Sequence, residues 1–255
     1  MKLIDVHAHL TDEKYLDIDD VIMRAQESGV EKIICSAYDL LSSQKAVELA
    51  EKYTNVYACV GVHPENVDFF NEDTLKQLEK FAKNRKVVAI GEIGLDYYWI
   101  SDNKEIQKEV FIKQVQLANK LKKPIVVHSR DAMGDTIEIL KKHKVEKESL
   151  LHCYSGSVES AKILSELNFS FSFGGVVTFK NAKTAVEVVE FLPIDKILLE
   201  TDCPYMSPEP FRGKRNEPKN VVYVADKIAK IKNMKFEDVQ NFTTKNAERI
   251  FKIYE

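Results

Sequence analysis

Two histidines separated by one residue lie near the start of the chain. His7 and His9 belong to the apolar segment LIDVHAHL, and residues i and i+2 of a strand face the same side, about 6.6 Å apart. Two imidazoles with this spacing can converge on one metal ion at bond lengths of about 2.0–2.1 Å. A pair of hydrogen-bonded core histidines would give the same pattern, so the pair alone leaves both interpretations open.

Four further polar residues stand at the ends of apolar segments, namely Glu92 in AIGEIGLD, His128 in PIVVHS, His152 in SLLHCYS and Asp202 in ILLETD. A buried carboxylate such as Glu92 is costly without a partner, and either a cation or a basic side chain could be that partner. Each of these residues alone could belong to a core, but their joint occurrence at equivalent positions favours a metal site. The predicted ligands are His7, His9, Glu92, His128, His152 and Asp202.

Four imidazoles and two carboxylates suit a pair of divalent ions. Such a centre keeps a net charge of about +2, which attracts an anionic phosphate, and two metals about 3.5–4 Å apart can hold the attacking and leaving oxygens of a displacement. Glu92 could bridge the ions because a carboxylate has two oxygens. Imidazole ligands favour Zn, Mn or Fe over Mg, yet labile sites accept the ion that is available, so the metal identity stays open.

The elements that must position these residues are indicated by short apolar segments. Eight of them begin near residues 3, 32, 56, 87, 124, 149, 169 and 196. Segments this short, rich in Val and Ile and apolar on both faces, are typical of buried parallel strands. Two predicted helices follow N-cap candidates at Ser42 and Ser157. Helical periodicity also covers 75–82 and 103–122, and two more helices fit 219–232 and 236–254.

Eight strand–helix alternations in 255 residues predict an α/β protein with a TIM-type (β/α)8 barrel and extra C-terminal helices. A closed barrel is favoured over an open doubly wound sheet. The carboxyl ends of barrel strands meet at one face, so the six candidate ligands would come together there. Because no linker, repeat or low-complexity segment interrupts the sequence, we expect a single metal-dependent hydrolase domain over 1–255.

Composition limits the class of protein further. The formal net charge of −3 argues against a protein that coats long stretches of nucleic acid. Four cysteines without a CxxC pair predict buried free thiols in a reducing compartment. No apolar segment approaches the ~20 residues of a membrane span. These features predict a cytoplasmic protein with no membrane association, and they leave the oligomeric state open.

The sequence resembles the TatD family of metal-dependent hydrolases, which are amidohydrolase-like barrels. The matching blocks are DVHAHL, GVHPE, GEIGLDYY, VVHSRDA, LHCYSG and ETDCPY, followed by RGKRNEP and NAERIF. The resemblance implies that one ion is held by His7, His9, Glu92 and Asp202, and the other by Glu92, His128 and His152. It also implies that His63, in GVHPE, faces the substrate.

The resemblance implies a phosphodiester hydrolase, typically a 3′–5′ exodeoxyribonuclease that uses two divalent metals and a metal-activated water. Asp202 and Glu92 are the expected catalytic residues, and DNA ends are the expected partner. The alternative is hydrolysis of another bond on the same metal centre, either an aminoacyl-tRNA ester or a small cyclic amide. Glu92 stands where many amide-hydrolysing relatives carry a modified lysine, which favours the phosphoesterase. A metal-binding protein without catalysis is a third possibility.

Three arginines are candidate phosphate contacts, because a planar guanidinium suits bidentate binding. Arg212 and Arg215 lie in the loop after the eighth segment, where a solvated basic loop is the alternative. Arg130 follows His128 and could instead brace Asp131.

Two further candidates have equally open interpretations. The aromatic run Tyr97–Trp99 could stack nucleobases or pack its own loop. Glu200, two residues before Asp202, could support the metal centre or form a buried ion pair.

Overall fold

The computed structural model describes residues 2–254, in which strands and helices alternate along the chain. The strands are β1 Leu3–Ala8, β2 Val30–Ser36, β3 Val56–Val60, β4 Val87–Asp96, β5 Ile125–Arg130, β6 Ser149–Leu151, β7 Phe169–Phe173 and β8 Ile197–Leu199. The α-helices are α1 Ile18–Glu27, α2 Leu40–Lys52, α3 Glu72–Phe81, α4 Lys104–Leu121, α5 Met133–Lys142, α6 Val158–Glu166, α7 Lys183–Phe191, α8 Val221–Lys232 and α9 Phe236–Phe251.

The eight strands form one sheet in the order β1 to β8. The pairs for which a register is resolved are parallel, and a parallel bridge joins Ala8 to Cys203, which follows β8. This is a TIM-type (β/α)8 barrel, and α8 and α9 both follow the last strand. The predicted fold class is therefore confirmed, including the extra C-terminal helices.

Internal contacts divide the described chain into two compact units. Residues 2–35, 152–161 and 171–254 form the first unit, and residues 36–151 and 162–170 form the second. The expectation of one domain over 1–255 stays a prediction. In the described part of the chain the four cysteines are free, and none of its helices has the length and apolar character needed to cross a bilayer.

In the first unit, β1 and β8 are buried along their whole length, as parallel strands covered on both faces must be. Helix α9 fixes the start of β8, because the Asn246 side-chain amide donates to the carbonyls of Ile194 at 2.9 Å and Ile197 at 2.8 Å. The Thr244 hydroxyl of the same helix donates to the Lys2 carbonyl at 2.7 Å. These bonds anchor both strands at their amino ends.

In the second unit, β4 is buried over all ten of its residues. Gly94 has a φ of +144°, and a Cβ at this position would lie 2.0 Å from the His128 carbonyl oxygen. Only glycine lets β4 and β5 approach this closely. The side chain of Gln114 on α4 bonds both the N–H and the C=O of Val62, at 2.8 and 2.9 Å, and so fixes the segment that carries His63.

Two local expectations need correction. Helix α2 begins after Asp39 rather than Ser42, because the Asp39 carboxylate accepts from the Ser42 N–H while the Ser42 hydroxyl accepts from the Asp39 N–H, a capping box. Glu92 lies inside β4 rather than at its end, since the strand continues to Asp96. The Ser157 cap is confirmed, because its hydroxyl accepts from the Ser160 N–H at 3.2 Å.

Candidate metal centre

The first donor group lies in the first unit and consists of His7, His9 and Asp202. The two rings lie edge to face with their centroids 5.0 Å apart. Asp202 Oδ1 is 3.2 Å from His9 Nε2 and 3.9 Å from His7 Nε2. The predicted convergence of the HxH pair is therefore present, and it includes a carboxylate from the other end of the chain.

A buried carboxylate in β1 brings Asp202 to this group. Asp5 accepts hydrogen bonds from the Thr201 N–H at 3.0 Å and the Thr201 hydroxyl at 2.6 Å. The next residue, Asp202, donates its N–H to the His7 carbonyl at 3.0 Å. Complete burial raises the pKa of Asp5 to about 8, although its hydrogen bonds oppose the shift. Asp5 thus links β1 to the segment that follows β8.

His152 joins the same group from the residue after β6. Its ring stacks on His7 with a centroid separation of 3.9 Å and an angle of 10°. Its Nδ1 is 3.8 Å from Oε1 of the fully buried Glu200, whose other oxygen accepts a short hydrogen bond from the Ser172 hydroxyl. Glu200 therefore lies beside a candidate ligand, which favours the supporting role over a separate ion pair.

The second donor group lies in the second unit and is centred on Glu92, which is 3% exposed. Its Oε1 is 2.9 Å from His128 Nδ1 and 3.3 Å from His63 Nε2. The centroids of the two rings are 4.4 Å apart. His63, which the resemblance implies to be a substrate contact, thus also offers a donor atom to this group.

Sequence reasoning missed Asp96, the last residue of β4. Its Oδ2 lies 2.9 Å from His128 Nε2, on the side of the ring opposite to Glu92. Burial alone would raise the pKa of Asp96, but the interaction with His128 and the N–H groups of Tyr98 and Trp99 lower it overall. The available signal was an acidic residue at the end of an apolar strand, in the block GEIGLDYY.

The electrostatics of both groups suit metal ligands. Burial lowers the pKa of His63, and a neutral imidazole is the form that binds metals. Burial alone would raise the pKa of Asp202, but the His9 hydrogen bond and the nearby His7 and His152 lower it overall. Asp202 is therefore ionised at neutral pH, as a ligand must be.

The donor geometry fits divalent ions. In each group of three, one donor atom per residue lies within 4.8 Å of the other two. Two donors bound to one ion at about 2.1 Å are about 3.0–3.4 Å apart at ordinary coordination angles. The His9–Asp202 separation of 3.2 Å matches this range, and the His128–Glu92 separation of 2.9 Å lies just below it. Small movements would bring the remaining atoms into it.

The arginines expected at the substrate have different environments. Arg215 donates to both oxygens of Asp17, at 2.7 and 2.9 Å, and to Glu217 at 3.1 Å, so its guanidinium serves a protein ion network. Arg212 is exposed, with its guanidinium 4.3 Å from the centre of the Phe179 ring. Arg130 lies over the ring of Tyr98 at 3.9 Å. Arg212 and Arg130 therefore remain as candidate contacts.

The fold and the donor groups define the class as an α/β-barrel protein with histidine–carboxylate groups able to bind metal ions. The family model described as TatD related DNase matches residues 4–252. The chain therefore belongs to the TatD family of metal-dependent hydrolases.

Similar proteins match nearly the whole chain. The uncharacterized metal-dependent hydrolase YabD of Bacillus subtilis (strain 168) is 47% identical over 253 residues, which is 98% of this chain and 99% of YabD. The uncharacterized metal-dependent hydrolase YcfH of Escherichia coli (strain K12) is 38% identical over 99% of this chain and 97% of its own length. Each match extends over nearly the full length of this chain and of the relative.

Solved structures agree with this assignment. The TatD homologue YJJV of Escherichia coli K12 superposes with a TM-score of 0.93 at 30% identity, over 99% of this chain and 98% of its own. A TatD-family hydrolase of Entamoeba histolytica has a TM-score of 0.87 at 26% identity, over 98% and 97% of the two chains.

Proposed function

We propose that the protein hydrolyses phosphodiester bonds of DNA as a 3′–5′ exodeoxyribonuclease. The observation that carries the proposal is the pair of histidine–carboxylate groups, each with three donor atoms within 4.8 Å of one another. The description of the matching family model, TatD related DNase, supports a DNA substrate. Zn, Mn or Mg would suit these mixed imidazole and carboxylate donors.

We further propose two divalent ions, one at each group. His7, His9 and Asp202 would hold the first ion, with His152 packed against His7, and Glu92 and His128 would hold the second. When bound, such ions neutralise the charge of the phosphoryl oxygens and make water a nucleophile at neutral pH.

The residues of the chain then have separate tasks. The ionised and largely buried carboxylate of Asp202, 15% exposed, would orient the attacking water and accept its proton. The buried Glu92 would keep the second group negative, so that it retains its cation. His63 would donate a hydrogen bond to a phosphate oxygen, and Arg130 and Arg212 would neutralise adjacent phosphates.

The test is a nuclease assay on 3′-labelled and 5′-labelled DNA, single-stranded and double-stranded, with EDTA treatment and metal add-back. We expect nucleotides to be released from the 3′ end, EDTA to stop the reaction and a divalent ion to restore it. Charged tRNA and a dihydropyrimidine are assayed in parallel. Turnover of either without release of nucleotides from DNA would replace the proposal with the ester or amide alternative.

A variant assigns the catalytic carboxylate. Asp202→Asn keeps the shape of the side chain but removes its charge, so kcat should fall about 10²- to 10⁴-fold, the range for loss of an acid–base group. The control is Asp195→Asn, at an exposed position, which should keep wild-type turnover. Undiminished kcat in Asp202→Asn would remove this residue from the reaction.

A further inference from the structure

Two aromatic rings and a guanidinium form an exposed surface directly after β4, called here the aromatic platform: Tyr98, Trp99 and Arg130. Tyr98 is 54% exposed and Trp99 is 62% exposed. Their rings lie edge to face, with centroids 4.8 Å apart. The Arg130 guanidinium carbon lies 3.9 Å from the centre of the Tyr98 ring and 5.3 Å from that of Trp99. Two aromatic rings, each more than half exposed, therefore lie beside a positive charge.

The backbone holds this platform in place. One oxygen of Asp96 accepts the N–H groups of both Tyr98 and Trp99 at 2.9 Å. The Tyr97 N–H donates to the Arg130 carbonyl at 2.9 Å, and Asp96 is paired with Arg130 in the β4–β5 register. These hydrogen bonds fix the backbone of the turn that carries the two exposed rings. A ligand that stacks on the rings therefore meets a preformed surface, which lowers the entropic cost of binding.

The same carboxylate connects the platform to the second donor group. Asp96 Oδ2 lies 2.9 Å from Nε2 of His128, whose Nδ1 lies 2.9 Å from Glu92. Asp96 thus contacts both the backbone of the platform and the candidate metal ligand His128. A ligand on the platform would therefore lie next to the site at which a phosphodiester is proposed to bind.

The chemistry of the platform selects its ligand. Aromatic rings stack with any nucleobase, independently of sequence, and arginine adds a cation–π contribution. The positive charge of Arg130 complements a nucleic acid backbone. A second cation, the Lys104 ammonium, lies 4.4 Å from the centre of the adjacent Tyr97 ring. A base inside a duplex has its faces covered by its neighbours, so only an unpaired base can use such a surface.

We propose that the aromatic platform, Tyr98 and Trp99 with Arg130, binds an unpaired nucleobase next to the phosphodiester that is cleaved. This inference rests on the proposed function for the identity of the substrate. It adds a base-binding subsite, made by these three side chains, to that function.

Trp99 makes the platform directly observable, because it is the only tryptophan of the chain. The full-length protein, as isolated, is titrated with a phosphorothioate oligothymidylate that resists hydrolysis and with an abasic oligonucleotide of the same length and charge. We expect the base-containing strand to quench Trp99 fluorescence and to bind at least about tenfold more tightly than the abasic strand, equivalent to about 1.4 kcal/mol.

Steady-state kinetics on ordinary single-stranded DNA give a second readout. Trp99→Ala should raise KM about tenfold and leave kcat nearly unchanged, since stacking holds the substrate and not the reacting atoms. Trp99→Phe keeps an aromatic face and should restore most of the affinity. The control is Tyr254→Ala, which removes a ring that is 57% exposed and has a lysine ammonium 5.9 Å from its centre; its KM should equal that of wild type.

The outcomes separate this inference from the proposed function. Equal binding of the base-containing and abasic strands, in a protein that cleaves DNA, would overturn the platform and keep the nuclease. Base-dependent quenching in a protein that cleaves no DNA would keep the platform and overturn the nuclease. A change in KM as large in Tyr254→Ala as in Trp99→Ala would also overturn the platform.

Discussion

At the scale of single residues, Asp96 serves different neighbours with its two oxygens. One oxygen fixes the turn that follows β4, through the N–H groups of Tyr98 and Trp99. The other contacts His128 Nε2 at 2.9 Å and leaves Nδ1 directed at Glu92. A carboxylate on the far nitrogen of a metal-binding histidine fixes its tautomer and ring orientation and makes it a better ligand.

This arrangement predicts that Asp96→Asn weakens metal binding about 10- to 100-fold, the usual effect of losing such a partner. The asparagine oxygen can still accept the two turn N–H groups, so the fold should persist. Metal affinity is measured by competition with a chromogenic chelator. Asp135→Asn is the control, because Asp135 accepts from Tyr97 and pairs with Lys108 and belongs to neither donor group. Equal affinities in the two variants would contradict the positioning role.

At the scale of elements, the β4–β5 pair depends on a glycine. Gly94 has a φ of +144°, and any side chain would meet the backbone of His128. Backbone atoms of a central sheet cannot move aside as the end of a flexible side chain can. Gly94 is also the partner of His128 in the β4–β5 register. The close packing of these two strands therefore helps to keep the His128 ring within 2.9 Å of Glu92 in the second donor group.

We therefore predict that Gly94→Ala lowers the free energy of unfolding by at least about 2 kcal/mol, through overpacking and an unfavourable backbone conformation. Urea unfolding followed by circular dichroism measures this change. The matched control is Gly134→Ala on α5, where an added Cβ meets nothing within 4 Å. There alanine should stabilise the helix by about 0.5–1 kcal/mol. Similar stabilities for the two variants would show that the close approach is not required.

Most of the strands and helices could be predicted from the sequence, because parallel strands are buried on both faces and therefore appear as continuous apolar segments. All eight predicted strands are present, and the helices expected after Ser157 and over 103–122 are present as α6 and α4. The extension of β4 to Asp96 could not be predicted, since its hydrogen-bond partners in β5 are 34 residues away along the chain at Asp96–Arg130. The cap of α2 could not be predicted either, because both Asp39 and Ser42 have side chains suited to an N-cap and only the folded geometry shows that Asp39 is the N-cap residue.

The sequence could predict which residues are candidate metal ligands, but it could not predict which side chains contact one another. The predicted ligands include all three residues of the first donor group and, in the second, Glu92 and His128, whereas His63 was expected only to face the substrate. The sequence could not show that His63 lies 3.3 Å from Glu92, that His152 stacks on His7, or that Arg215 is engaged by Asp17. Each of these contacts depends on side-chain rotamers in three dimensions, for which a single sequence carries no periodic signal.

At the scale of the whole molecule, an ion network ties both ends of α1 to the loop before α8. Arg24 donates to both oxygens of Glu217, at 2.8 and 3.0 Å, and to Asp17 at 3.0 Å. Arg215 bonds the same two carboxylates. Paired charges therefore contribute to holding together segments that lie nearly two hundred residues apart in the sequence, and the pH dependence of global stability should reflect them.

Burial alone would raise the pKa of Glu217, but the hydrogen bonds from Arg24 and Arg215 outweigh it and lower the pKa below the ordinary value of 4.5. The carboxylate therefore stabilises the fold above pH 4.5, and this contribution is lost as the pH falls through the lower pKa of the folded state. Asp17, whose pKa the two arginines also lower, adds to the loss at still lower pH.

We predict that Glu217→Gln reduces stability at pH 7 and makes the free energy of unfolding less dependent on pH below 4.5. Urea unfolding at a series of pH values measures both effects. Glu187→Gln, at an exposed position of α7, is the control and should preserve the wild-type curve. A parallel loss of stability in wild type and Glu217→Gln throughout the acid range would mean that the network does not couple the loop to the fold.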